Sequence, residues 1–109
     1  MAFQEKQLGQ AEGTTSPTSI YTPTSGTSII KQIVVCNHEA SASTFGLWLD
    51  DDGTTYTDAT VLKEDIAIDA NTTIILDVFW PMNNVAGHLA VKAGAASTIT
   101  FTIFGAEIT

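Results

Sequence analysis

The sequence predicts an all-β domain: a β-sandwich of about eight short antiparallel strands, jelly-roll-like in order, with an immunoglobulin-like sandwich as the alternative. Three features carry that expectation. From Ile20 onward the chain is a series of short apolar runs, many of them alternating with polar residues. Turn residues interrupt these runs about every ten positions. No segment repeats its apolar residues with the helical period.

In chain order, FQEKQLGQ (3–10) is either a short edge strand or a tail that orders on a partner, and AEGTTSPTS (11–19) is a small, polar connector punctuated by Pro17. Residues 1–17 are thus expected to form an N-terminal arm or edge strand with a flexible connector, and residues 18–109 a single sandwich domain. After the short SIYT run, SIIKQIVVC (28–36) is apolar on both parities, with Ile30, Val34 and Cys36 on one side and Ile29, Ile33 and Val35 on the other. That suits a central strand covered on both faces. TFGLWLD (44–50) alternates, directing Phe45, Leu47 and Leu49 one way and Trp48 the other. VLKEDI (61–66) has the composition for one helical turn, and DIAI (65–68) leads through DANT into TIILDVFW (73–80). HLAVKA (88–93) then leads through GAA into STITFTIFGAEI (97–108), where Ile99, Phe101 and Ile103 share a face and Thr98, Thr100 and Thr102 point away. No internal repeat is present.

Composition narrows the function classes. A chain of 109 residues accommodates one core and buries about two-thirds of the surface it exposes when unfolded. Its 44% hydrophobic and 15% charged residues exclude bulk disorder. Four basic residues against twelve acidic ones give a net charge of −8, which repels a phosphate backbone and argues against nucleic-acid binding. Lys6, Lys31, Lys63 and Lys92 are widely spaced, so an anionic membrane surface finds no basic cluster. Cys36 is the only cysteine, which rules out an intrachain disulfide and fits synthesis in a reducing cytosol. The start, MAFQEKQLGQAEG, lacks a basic segment followed by an apolar one. No apolar run approaches the roughly 20 residues of a membrane span, so neither a cleaved signal nor insertion is expected.

The most chemical stretch is LWLDDDGTTYTDAT (47–60). An EF-hand loop needs oxygen ligands at alternate positions and a closing glutamate, yet Gly53 comes too early and the closing position is Val61. Asp-Gly between alternating runs is instead a hairpin signal, with glycine accepting a positive φ. A weak cation site on Asp50, Asp52 and Asp58 is the only metal alternative, and no cofactor is expected. Asp77, inside IILDVFW, shares parity with Ile75 and Phe79, which makes it an outward strand residue or part of a subunit contact. Cys36 and His38 lack further ligands at metal spacing and read as a buried thiol beside a strand-end histidine. Asn71-Thr72-Thr73 matches a glycosylation sequon but reads as a turn followed by a strand. With no nucleophile elbow, phosphate loop or convergent acid and base, an enzyme is not expected. Tyr21, Trp48 and Trp80 are the aromatic candidates for a protein interface, with sugar stacking by the tryptophans as the sharper alternative and half-buried core packing as the default for any one of them.

TSIYTPTSGTSIIKQIVVCN, TFGLWLDDDGTTY, IDANTTIILDVFWPM and LAVKAGAASTITFTIFGAEI together resemble a class of small virion proteins of tailed bacteriophages, over residues 18–109. The resemblance implies a sandwich that sits, typically as a homotrimer, on the head as a decoration (cement) protein. It would bind the major capsid protein at the capsid surface after synthesis in the host bacterial cytoplasm. It also implies that the arm, through Phe3, Gln4 and Leu8, reaches a neighbouring capsid subunit. A tail- or fibre-associated module, carbohydrate- or host-binding, is the alternative. The pattern has no catalytic signature, so it carries over no catalytic residue.

Overall fold

The computed structural model describes residues 3–24 and 27–108. Among them run eight strands: β1 (Phe3–Glu12), β2 (Thr18–Tyr21), β3 (Thr27–Asn37), β4 (Ser43–Asp50), β5 (Val61–Ile68), β6 (Thr72–Met82), β7 (His88–Ala93) and β8 (Ile99–Ile108). VLKEDI is not a helical turn but most of β5, because its backbone pairs with β4. Two four-stranded antiparallel sheets form, in the orders β1-β8-β3-β6 and β2-β7-β4-β5. The ladders β1–β8, β2–β7, β3–β6 and β4–β5 nest first with last, as in one long hairpin rolled up. Additional β3–β8 and β4–β7 pairing closes the roll. This is the jelly-roll order; an immunoglobulin-like sandwich would place its first two strands in one sheet, whereas β1 and β2 lie in different sheets.

The core lies between the sheets. One sheet contributes Ile30, Ile33, Val35, Ile99, Phe101 and Ile103, the other Tyr21, Phe45, Leu47, Leu89, Val91 and Ala93, all buried. Phe45 and Phe101 meet edge to face across the gap, with ring centroids 6.3 Å apart and planes at 68°. Strict alternation in β3 separates Ile30 from Ile33, but the structure puts both in the core. The cause is a bulge: Ile30 opposes Gly105 and Gln32 opposes Phe104, which leaves Lys31 as an extra residue. Lys31 and Gln32 therefore share the outer face, and the parity reverses beyond them. Cys36 lands on that outer face, half-buried, instead of in the core.

Two glycines permit close approach. A Cβ on Gly46 would lie 2.7 Å from Trp48, whose ring folds back over it. A Cβ on Gly105 would collide with the Ile29 carbonyl oxygen across the β3–β8 ladder. Among the described residues, the non-glycine positions with positive φ are Asp65, Asn71 and Ser97. Gly53 is not among the glycines in that region, and the expected tight Asp-Gly hairpin is replaced by a longer loop between β4 and β5. The reason lies in Asp50, whose carboxylate accepts the amides of Asp52 and Thr55 and so closes a wider turn.

Phe101→Ala should lower unfolding stability by about 3–5 kcal/mol, through lost burial and the cavity left behind, while Thr100→Ala on the outer face stays within about 0.5 kcal/mol. Denaturant titration of both variants checks this. The same titration should show Gly105→Ala destabilised by about 1–3 kcal/mol, because the added methyl forces β8 away from β3.

Candidate functional site

Each end of the core is closed by a polar group on β3. At one end Asn37 is fully buried, its Nδ2 donating to the carbonyls of Ser41 (2.9 Å) and Asp69 (3.1 Å), while its Oδ1 accepts the Glu39 amide (3.1 Å). At the other end Ser28 faces Glu107, which is only 6% exposed. Glu107 shares parity with Ile99, Phe101 and Ile103, so its strand position directs it inward among apolar side chains. A carboxylate there must be paired. Lys6 reaches it from β1 at 2.6 Å, the Tyr21 hydroxyl donates to it from β2 at 2.8 Å, and Thr24 Oγ1 donates at 3.2 Å. Tyr21 Oη and Ser28 Oγ complete the network at 2.6 Å.

The Lys6 ammonium holds the Glu107 carboxyl below its ordinary range, and the Tyr21 and Thr24 hydroxyls act in the same direction. Burial, reinforced by the negative charge of Glu107, pushes the Tyr21 phenol up to about 12. Charge thus stays on Glu107 and the proton on Tyr21. The network joins β1 and β2, which lie in different sheets, to β3 and β8, so it ties the N-terminal strand to the sandwich.

The acidic loop is organised differently. The amides of Thr55 and Asp52 hold the Asp50 carboxyl low, while Asp52 is raised by its hydrogen bond to Asp50 and by the Asp50 charge. Asp50 is therefore committed to backbone donors, and Asp58 stands exposed in the loop beyond. Among the described residues no three His, Cys, Asp or Glu side chains gather as metal ligands.

On the outer face of the β2-β7-β4-β5 sheet, Ser19 Oγ lies 2.8 Å from His88 Nδ1, a contact that sequence spacing did not suggest. Asp50 opposes His88 in the β4–β7 register. Its acceptor oxygens take the loop amides, and it makes no hydrogen bond to the ring, so the three residues are not linked as a triad.

The aromatic candidates fall in different environments. Tyr21 is in the core, Trp48 is 5% exposed against Gly46, and Trp80 packs inward from β6. Leu8 also packs against the core, whereas Phe3 and Gln4 are exposed on β1. The exposed apolar side chains are instead Phe3, Leu62, Ile66, Ile75, Phe79, Val85 and Phe104. Phe3, Ile75, Phe79 and Phe104 lie on the outer face of the β1-β8-β3-β6 sheet, a face that a solvated sandwich keeps polar. Between them runs a shallow groove lined by Glu5, Gln7, Lys31, Gln32, Asp77 and Phe104. Its charges are tied locally: Lys31 Nζ sits 3.1 Å from Glu5 and 5.3 Å from the Phe3 ring centre, and Gln32 Nε2 donates to Asp77 at 3.0 Å. No protein-family model and no curated protein sequence matches this chain.

Because the folded-state pKa of Glu107 is depressed, its contribution to stability is complete above the ordinary carboxylate value of about 4.3 and is lost as pH falls through the lower folded value. Glu107→Gln should cost about 2 kcal/mol at neutral pH and converge on the wild type in acid. Urea denaturation from pH 7 to pH 3 measures both limbs.

Proposed function

We propose that this chain is a non-enzymatic structural protein of a tailed-phage virion: a head decoration protein that binds the major capsid protein lattice and stabilises the capsid. It is made in the host bacterial cytoplasm and acts at the capsid surface as a homo-oligomer, a homotrimer as the resemblance implies. The observation that carries this reading is the outer face of the β1-β8-β3-β6 sheet, where Phe3, 56% exposed, and Phe104 lie beside a groove in which Lys31 pairs with Glu5 and Gln32 holds Asp77. A lattice-binding protein needs a flat surface of mixed character, with apolar contacts at the centre and hydrogen-bonding groups around them. Rings beside Gln7, Gln32 and paired ions supply both.

The N-terminal residues support the same reading in altered form. Residues 3–12 lie in the sheet as β1, so Phe3 and Gln4 would meet a capsid subunit from a fixed strand. A carbohydrate-binding tail module would draw on Trp48 and Trp80 as stacking platforms, but Trp48 is 5% exposed with its ring over Gly46 and Trp80 packs against the core.

Purified protein should co-sediment with heads assembled from the same phage's major capsid protein and raise the temperature at which they disrupt. Phe104→Lys, with its melting temperature unchanged, should weaken binding about tenfold or more. Absence of wild-type binding to heads would overturn the proposal.

A further inference from the structure

We propose that β1 is a detachable strap: residues 3–12 lift off β8 as one unit, hinged at Gly13, while the other seven strands stay folded. The core does not need this strand. Among the described residues, the buried apolar side chains of the core come from β2 to β8, and β1 adds only Leu8, partly buried against them. Eight of the ten β1 residues are exposed.

A backbone ladder to β8 and a few polar ties hold the strand in place. Lys6 meets Glu107 at 2.6 Å, Glu5 meets Lys31 at 3.1 Å, Gln10 Nε2 donates to Thr102 Oγ1 at 2.9 Å, and Glu12 lies 3.8 Å from His38. All but the first join exposed groups, where such contacts add little. The register also slips at Leu8, which interrupts the ladder midway. Lifting β1 takes Lys6 from Glu107, but the Tyr21 and Thr24 hydroxyls still donate to that carboxylate, and the space Lys6 leaves admits water. No unanswered charge is then left in the core.

The hinge is anchored independently of β1. Gly13 donates its amide to the Ile99 carbonyl at 2.8 Å and accepts the Ser97 amide at 3.1 Å, while the Thr14 carbonyl accepts the Ala93 amide at 2.8 Å. Gly13 is buried, and a Cβ there would lie 2.8 Å from both Ala93 Cβ and Phe101 Cε2, so the chain is seated directly on the core. Opening therefore stops at Gly13 and exposes a ten-residue extended segment together with the β8 edge that it covers. The seated strand is the ground state and the lifted one a minor state reached by local opening. Neither depends on capsid binding.

Native-state hydrogen exchange of the full chain, alone in solution, tests this through Leu47→Ala. Leu47 is buried on β4, in the sheet that β1 does not join, so it keeps its contacts when β1 lifts. Its truncation weakens the seated and lifted forms alike, easing global unfolding without easing the opening of β1. Amides bonded between β3 and β6 should lose protection by about thirtyfold or more. Amides bonded between β1 and β8, already about tenfold less protected in the wild type, should change by less than about twofold, uniformly along the strand. An equal fall in both sets, wild-type β1 amides as protected as those of β3, or protection graded from Glu12 to Phe3 as in simple fraying, would overturn the inference. If Leu47→Ala does not fold, Ile68→Val at a second buried site of the same sheet is read in the same way, with a loss of about two- to tenfold confined to the β3–β6 amides.

Discussion

The whole arrangement depends on β8 lying between β1 and β3. In the sheet order β1 pairs with β8 alone, and the inward stripe Ile99, Phe101 and Ile103 joins Ile30, Ile33 and Val35 in supplying one side of the core. That placement joins the last strand to the first and to the third, so the decisive contacts are remote in sequence. Loop closure must precede the burial that rewards it. The bulge at Lys31 makes the fit possible, because it brings Ile30 and Ile33 to the same side and opposes Ile30 to the side-chain-free Gly105.

Polar groups enter this core only where they are fully answered. Asn37 and the Glu107 network sit at opposite ends of β3, and no buried side-chain nitrogen or oxygen among the described residues lacks a partner. Their geometry defines the ends of the sheet stack, since a one-residue slip of β3 or β8 would separate Ser28 from Glu107 and leave a carboxylate among apolar side chains. The Lys6–Glu107 pair then secures an otherwise exposed first strand.

The surface divides by sheet. On one outer face, Trp48 covers Gly46 and Ser19 bonds to His88, so that side is finished by its own side chains. The other face leaves apolar side chains exposed, and β6 forms the edge of its sheet.

Strand existence was legible because alternation and turn chemistry are local, and the inward stripe of β8 could be read directly from its spacing. Glu107 was legible in principle by the same parity, but a glutamate near the chain terminus reads as solvated until Lys6, Tyr21 and Ser28 are brought around it. Local pattern likewise divided β3 at the wrong residues, since a bulge appears only when partner strands impose their register. Core packing was the default reading for Tyr21 and Trp48, but local pattern could not separate it from a surface anchor, because an aromatic ring is equally at home in a core or an interface. By itself, then, the sequence determined an all-β sandwich with one core and an acidic, weakly charged surface. Tertiary structure alone decided the strand order, the burial of Trp48 and Glu107, and the place of β6 at a sheet edge, because each depends on pairing between residues that no local pattern relates.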